Sequence, residues 1–529
     1  MPCPNCGEQL TGRPSTCPAC GHELEPADPF LAPGGEDGSQ RPRRRSAATP
    51  ARRRWWPWAL GVLALVAAGA GAALLLLGGD DDTAAASTRP STTVSTTSAP
   101  TTTMAPATTA VPTTTEADPG PASVPGITAE PCPDAVNPGH GCIYLGVISD
   151  VTDGLFAPLG APMSAAQEDF WTVVNESGGL DGYDVALTDP VDAHHDPQQH
   201  VEGFARLEPD IAALAQSMGV APTRAALPRY DEADVVAVPA SWWSGWSFED
   251  RDLGLILEAG ASSCVEAMNA FDAVVEDVVE VSEETSLTYA IVAFPGDEGG
   301  DYAAGVRNAA AAHGLGDPVA DLLQVPIWTG GDVSEAIDTL LGAGPDVVFM
   351  AVGPAETAQI VSGTSRGGLA ATYVGAAMSW NAALLGQEAL MPLLEESFLL
   401  SSPWGGWATE SDGHAVMRET AERFGREPSF GYVAGWASQY NLLALLDEAI
   451  AGGDLSRSGL RSAAGRLAEV DYRGMLPPKS FAGTPDEIMV RQSLLIRVDP
   501  AGPDGLAPAS PFFAGSTAAS FTFEAPCSG

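Results

Sequence analysis

Four thiols near the start of the sequence are spaced to do chemistry. Cys3, Cys6, Cys17 and Cys20 form two C-x-x-C pairs ten residues apart, in CPNCG and CPACG. Each pair sits on a tight turn closed by a glycine suited to positive φ, so four thiolates can converge tetrahedrally on one zinc ion. Four ligands without an open position make a structural site, not a catalytic one. A redox role for C-x-x-C needs a flanking βαβ pattern, and the neighbouring sequence has none.

Other reactive groupings fail on context. Gly363-Thr364-Ser365-Arg366-Gly367 fits G-x-S-x-G, but a nucleophile elbow needs a strand before the serine and a helix after it. Here AETAQIVSG reads as helix and ATYVGAAM as strand, the reverse order, and His414 is the one later histidine. No enzyme is expected. His194, His195, Asp196 and His200 read as a solvated loop leading into a helix, not a metal site. The DEGGD run at 297–301 reads as an acidic helix start, not a calcium loop.

The two CPxCG knuckles resemble the short zinc ribbons at the N-termini of many bacterial membrane proteins. The segments that follow fit that setting. Residues 55–79, WWPWALGVLALVAAGAGAALLLLGG, carry no charge, enough for roughly 37 Å of helix against a hydrocarbon core of about 30 Å. Seven arginines between 41 and 54 precede the run and Asp80, Asp81 and Asp82 follow it. The positive-inside bias therefore predicts a single-pass span with a cytoplasmic N-terminus and an extracellular C-terminal part. A cleaved signal peptide fits worse, because 54 residues ahead of the run are too many.

Residues 80–130 are rich in Thr, Ser, Pro and Ala with almost no large apolar side chain. Such a segment cannot bury enough surface to offset its ordering entropy, so it predicts an extended stalk. The expected organisation is a zinc ribbon at 1–25, a basic cytoplasmic linker at 26–54, the span at 55–79, the stalk at 80–130 and a binding domain at 131–529. Beyond residue 54 there are 17 basic and 62 acidic residues, and Lys479 is the one lysine of the chain. A part this acidic repels nucleic acid and anionic lipid.

From Ile143 the pattern becomes regular α/β. IYLGVIS, YDVALTDPVD, DIAALAQ, DVVAVPA, LTYAIVAF, VADLLQVPI, PDVVFMAV, TYVGAAM and SFLLSSP read as buried strands separated by helical stretches. This alternation predicts parallel sheets with helices on both faces. The order of motifs resembles the type I periplasmic binding proteins, in the leucine/isoleucine/valine-binding branch that serves ABC transporters. LGVISDVTDGLFAPLG stands at that family's first strand and ligand loop, FWTVVNESGGLDG at its first helix end, and YAIVAFPGDEGGDYAAGVRNAAAAHG at the crossover into the second lobe. FGYVAGWASQYNLLALLDEAI stands at its long C-terminal helix and FAGTPDEIMVRQSLLIRV at its closing strand pair.

The resemblance implies a two-lobed α/β Venus flytrap with three hinge crossings that closes on a small-molecule ligand. It places first-lobe contacts at 153–156 including Phe156, at Ser217 and Met218, and at Ala240, Ser241 and Trp242, with Ser217 and Ser241 bonding a carboxylate. Second-lobe contacts fall at 296–298 including Asp297 and Glu298, at Tyr302, at 353–356 including Glu356, and at Met378, Ser379 and Trp380, with Asp297 or Glu356 holding an ammonium group. Two departures stand out: Gly299 replaces an aromatic usual before the crossover glycine, and SWWSGWSFED brings Trp242, Trp243 and Trp246 into a loop usually polar. Those rings either stack on a planar or apolar ligand or pack as local core.

The expected function is capture of a small polar metabolite, an amino acid by default, for an ABC-type permease. The alternatives are a receptor ectodomain signalling to a cytoplasmic partner of the zinc ribbon, and a flytrap that binds nothing and serves as an interaction domain. Outside the cell disulfides persist. Cys132 and Cys142 flank a turn and are the first choice for a local bridge, leaving Cys264 with Cys527. Three pairings are possible, and spacing does not decide among them.

Overall fold

The computed structural model describes residues 124–528 apart from 153, 155 and 282–286. The thiol motif, the basic segment, the run at 55–79 and most of the Thr/Ser/Pro-rich segment lie outside the described residues. Among the described residues no helix is long and apolar enough to cross a membrane.

The strands are β1 (Ile127–Thr128), β2 (Gly141–Ser149), β3 (Tyr183–Leu187), β4 (Val191–Asp192), β5 (Ala213–Met218), β6 (Ala237–Ala240), β7 (Tyr289–Ala293), β8 (Ala320–Leu323), β9 (Val347–Ala351), β10 (Thr372–Gly375), β11 (Phe398–Ser402), β12 (Leu494–Val498) and β13 (Leu506–Pro508). Each expected apolar run supplies a strand, YDVALTDPVD supplying both β3 and β4, and the central runs are continuously apolar because a strand covered on both faces is selected for that. In the first lobe β2 is central. Parallel β3 and β4 line one edge, antiparallel β1 and parallel β5 line the other, and β6 lies beyond β5. The second sheet runs β13-β12-β11-β10-β9-β7-β8, parallel from β11 to β8, with β12 and β13 antiparallel. Ile127 pairs with Ile143 and Thr128 with Cys142. The folded domain thus includes the last residues assigned above to the stalk.

The chain crosses between lobes three times. The helix Ser263–Val281 already packs on Asp297–Ala312 in the second lobe, so the first crossing lies at 259–263. This corrects the expected crossover at the strand and helix that begin at Tyr289. After β11 the chain returns through Pro403 and Trp404, and the helix Phe430–Gly452 packs along Ala157–Glu176 in the first lobe. Glycines set that approach: a Cβ on Gly435 would lie 2.4 Å from the Met163 carbonyl oxygen, and one on Gly431 2.6 Å from that of Leu159. The third crossing, 476–493, leads to β12. Gly260, at φ +89°, sits where all three gather, its missing Cβ facing Pro403 and Leu476.

The cysteines pair as Cys132–Cys142 and Cys264–Cys527. The first bridge closes the turn before β2. The second ties the start of the helix Ser263–Val281 to the C-terminal tail.

Candidate functional site

The carboxyl ends of parallel strands leave helix N-termini and loops facing outward, and here those of the two lobes face each other. Phe156 precedes the helix Ala157–Glu176, and its ring centroid lies 4.6 Å from that of His195. Met218 ends β5. Gly219, at φ +86°, then starts the helix Val220–Ala233, and a Cβ there would come 2.3 Å from Cε1 of His195. Ala240 ends β6, and Trp242 follows it with Nε1 donating to the Ala259 carbonyl at 2.8 Å. From the second lobe come Glu298, in the first turn of Asp297–Ala312, and Ala377 and Met378 after β10. Trp404 enters from the second crossing, its ring tilted against Trp242 at 4.5 Å and stacked on Phe430 at 4.6 Å. Together with Leu159 these residues enclose about 30 Å³, room for about two waters.

The lining is close to electrically neutral at pH 7. Burial is the main cause that pushes Glu298 up to about 8, with the neighbouring Asp301 and Glu258 adding repulsion. The Trp242 backbone N–H, from the opposite lobe, donates to that carboxyl and opposes the shift. Burial drives His195 down to about 4, and its Nδ1 has no hydrogen-bond partner among the described residues. Its backbone N–H donates to Asp150 at 2.6 Å, whose carboxyl burial raises to about 6. No lysine or arginine lines the cleft, so a ligand carboxylate would meet no fixed cation.

Polar contacts hold the lobes together beside the cleft. Arg224 of the first lobe bonds Asp297 of the second at 2.6 Å and lies 4.9 Å from the centre of the Trp243 ring. The Ser244 backbone N–H and hydroxyl both donate to Asp301, as does the Cys264 N–H. Trp243 Nε1 donates to the Ser528 carbonyl at 2.9 Å, and the Ser528 hydroxyl to the Asp297 carbonyl at 2.7 Å. The ion pair is half exposed, so it contributes at most about 1 kcal/mol.

The expected contacts divide. Phe156, Met218, Ala240 and Trp242 line the cleft. Ser217 instead points into a buried network with His200, Tyr230 and Thr223, and Ser241 accepts from Trp246 Nε1 at 3.2 Å. Tyr302 is buried in the second lobe with its hydroxyl toward Ser401 and the Val374 carbonyl. Glu356 accepts from the Ile327 N–H, and Ser379 donates to the Met350 carbonyl. Asp297 serves the interlobe ion pair. The tryptophans also divide: Trp242 faces the cleft, whereas Trp243 and Trp246 pack edge to face as core. Glu298 and Met378, expected beside Asp297 and Ser379, also line the cleft, whereas Leu159, His195 and Trp404 were not among the expected contacts.

His194, at 41% side-chain exposure, fits the expected solvated loop, but His195 turns into the cleft and His200 is buried. Asp297 opens a helix as expected. Ser365 lies in the last turn of the helix Pro354–Arg366, the reverse of an elbow. Cys264, Cys527 and Asp301 come together, but the two sulfurs bond each other and Asp301 serves Ser244.

A sequence model of the family described as periplasmic binding protein matches residues 143–503. The chain belongs to that family. Periplasmic binding proteins of known structure share its fold. A fatty acid ABC transporter substrate-binding protein from Thermomonospora curvata is 22% identical, with a TM-score of 0.65 over 75% of this chain and 96% of that one. A branched chain amino acid ABC transporter from Thermus thermophilus with bound valine is 18% identical, with a TM-score of 0.57 over 72% and 98%. A solute binding protein from R. palustris in complex with 4-hydroxybenzoate is 15% identical, with a TM-score of 0.58 over 71% and 97%. No curated protein matches the chain. A periplasmic binding protein works by holding a solute between its lobes.

Proposed function

We propose that the chain is a membrane-anchored extracellular solute-binding protein that closes its lobes on a small, apolar, ring-bearing molecule and delivers it to an ABC-type permease. The observation that carries this reading is the lining of Phe156, Trp242, Trp404, Met218 and Met378 around one carboxyl, Glu298. Aromatic faces and thioethers favour a flat apolar solute. The hydroxyls and carboxyls expected to hold an amino acid are engaged in their own lobes or between them, which moves the ligand class away from a zwitterion. Solved proteins of this fold hold valine and 4-hydroxybenzoate, solutes larger than the enclosed space, so the lobes must part to admit one.

The test is a thermal-shift and tryptophan-fluorescence screen of the full chain against phenols, aromatic amines, aromatic acids and amino acids. A phenol or aromatic amine should stabilise the protein, and Trp242→Ala should weaken that compound about tenfold, the equivalent of about 1.4 kcal/mol of lost stacking. A second reading, a flytrap that binds no solute, draws on the narrowness of the enclosed space. It wins if nothing in the panel shifts the melting temperature.

Upstream, the span at 55–79 would anchor the protein, and Cys3, Cys6, Cys17 and Cys20 would hold one structural zinc ion in the cytoplasm. Two thiolate pairs on glycine-closed turns fit zinc in both charge and softness. Metal analysis of the full chain should find one zinc per chain, lost in Cys17→Ser. A zinc-free wild-type protein would remove the ribbon from this reading.

A further inference from the structure

The cleft does not end at Leu159. On the other side of that side chain a second, smaller space of about 10 Å³ lies between the lobes. Pro158, Leu159 and Phe430 line it from the first lobe, and Trp380, Asn381 and Asp504 from the second. Leu159 borders both spaces and divides them. An aromatic strip runs beneath the divide: Trp242 and Trp404 belong to the larger space, Phe430 to the smaller, and successive rings stand 4.5 and 4.6 Å apart.

The far end of the strip is polar. Trp380 is 2% exposed and its Nε1 is buried with no hydrogen-bond partner among the described residues. An unmet indole N–H in such a place costs free energy unless something accepts from it. Beside it stands Asp504, 3% exposed, with one carboxyl oxygen accepting from the Trp407 N–H at 2.9 Å. Each end of the strip therefore has a carboxyl, half-buried Glu298 at one and buried Asp504 at the other. No lysine or arginine lines either space.

We propose that the two spaces are halves of one elongated binding site, and that its ligand is a flat apolar molecule, uncharged or cationic, with a hydroxyl or amine at each end. This rests on the solute-capture reading above and narrows it. When the lobes part, Leu159 no longer divides the spaces, and a molecule laid along Trp242, Trp404 and Phe430 reaches both carboxyls. Trp380 Nε1 donates to the end group that donates to Asp504. A carboxylate at either end would meet a carboxyl and no cation.

The test uses the full chain in detergent and three probes followed by tryptophan fluorescence and calorimetry: phenol, 4,4′-dihydroxybiphenyl and biphenyl-4,4′-dicarboxylate. Dihydroxybiphenyl should bind at least tenfold more tightly than phenol and than the dicarboxylate. The ratio of dihydroxybiphenyl to phenol affinity should fall toward one in Leu159→Trp, which fills the divide, and in Asp504→Asn, which changes no volume. If phenol binds and the longer diol gains nothing, the elongated site is wrong while capture stands. If the dicarboxylate binds as well as the diol, the assigned ligand class is wrong. If none of the three binds, this inference falls, and capture falls with it only if the wider panel above is silent too.

Discussion

Replacing Lys479 with methionine should cost the domain about 3–5 kcal/mol, the loss expected when one partner of a buried ion pair is removed. Lys479 Nζ lies 3.2 Å from Glu258, and the two side chains are 2% and 1% exposed. Glu258 precedes Gly260 by two residues and Lys479 follows Leu476 by three, so the pair sits where the hinge crossings gather. One Glu258 oxygen has no hydrogen-bond partner among the described residues. Without the lysine its carboxylate would be stranded, and it would have to take up a proton. The loss should therefore be larger at pH 8 than at pH 6, where protonation is easier. Glu258→Gln combined with Lys479→Met should recover much of the stability, because neither side chain then carries charge. Urea unfolding of the three variants checks this. A single variant within 1 kcal/mol of wild type would show that the pair does not hold the hinge.

Stability should also fall as pH rises from 6.5 to 8.5. Burial pushes Glu266 and Glu298 up to about 8 and Asp301 to about 7. Between their ordinary range and these values the folded state holds protons that the unfolded state has released. Their stabilising contribution is complete below about pH 4 and is lost as pH climbs through 7 to 8. The buried histidines act in the opposite direction. His195 and His414 are lowered to about 4 and His200 to about 3, so their contribution is present above about 6.5 and is lost on acidification. Asp150, Asp252 and Glu258 are raised as well, to about 6, 7 and 7, so the carboxyls outweigh the histidines between pH 4.5 and 6.5 and stability already declines there. Above 6.5 the carboxyls act alone, and two groups near 8 imply a fall of about 4 kcal/mol by pH 8.5. Unfolding midpoints across this range should decline, and Glu266→Gln with Glu298→Gln should flatten the decline. A rise in stability over the same interval would contradict the assignment.

The strands were legible in the sequence because a strand buried on both faces is continuously apolar, and IYLGVIS or PDVVFMAV allow little else. The cleft was only partly legible. Met218 and Ser217 are adjacent at the end of β5, and which one faces the cleft depends on strand parity, with a register shift between Leu214 and Ser217. Side chains alternate across a strand, so one residue of slip exchanges cleft for core. Tyr302 lies further along its helix than Glu298, and that rotation carries it into the second-lobe core. Trp404 sits on a crossing whose place was fixed only once helices distant in sequence were packed. His195 reaches the cleft through a turn in which His194 and His195 both have positive φ, 48° and 53°. Nothing in residue spacing signals that turn.

β1 is a two-residue strand, yet it fixes which lobe an upstream anchor would hold. The chain enters the domain through Ile127 and Thr128, hydrogen-bonded to β2, and the Cys132–Cys142 bridge fastens the same place. A tether attached upstream would pull on the first lobe alone. The second lobe, joined covalently through the three crossings and otherwise by the polar contacts beside the cleft, is then the part that swings when those contacts open, and a partner that needs to tell loaded from unloaded protein has that moving half to watch.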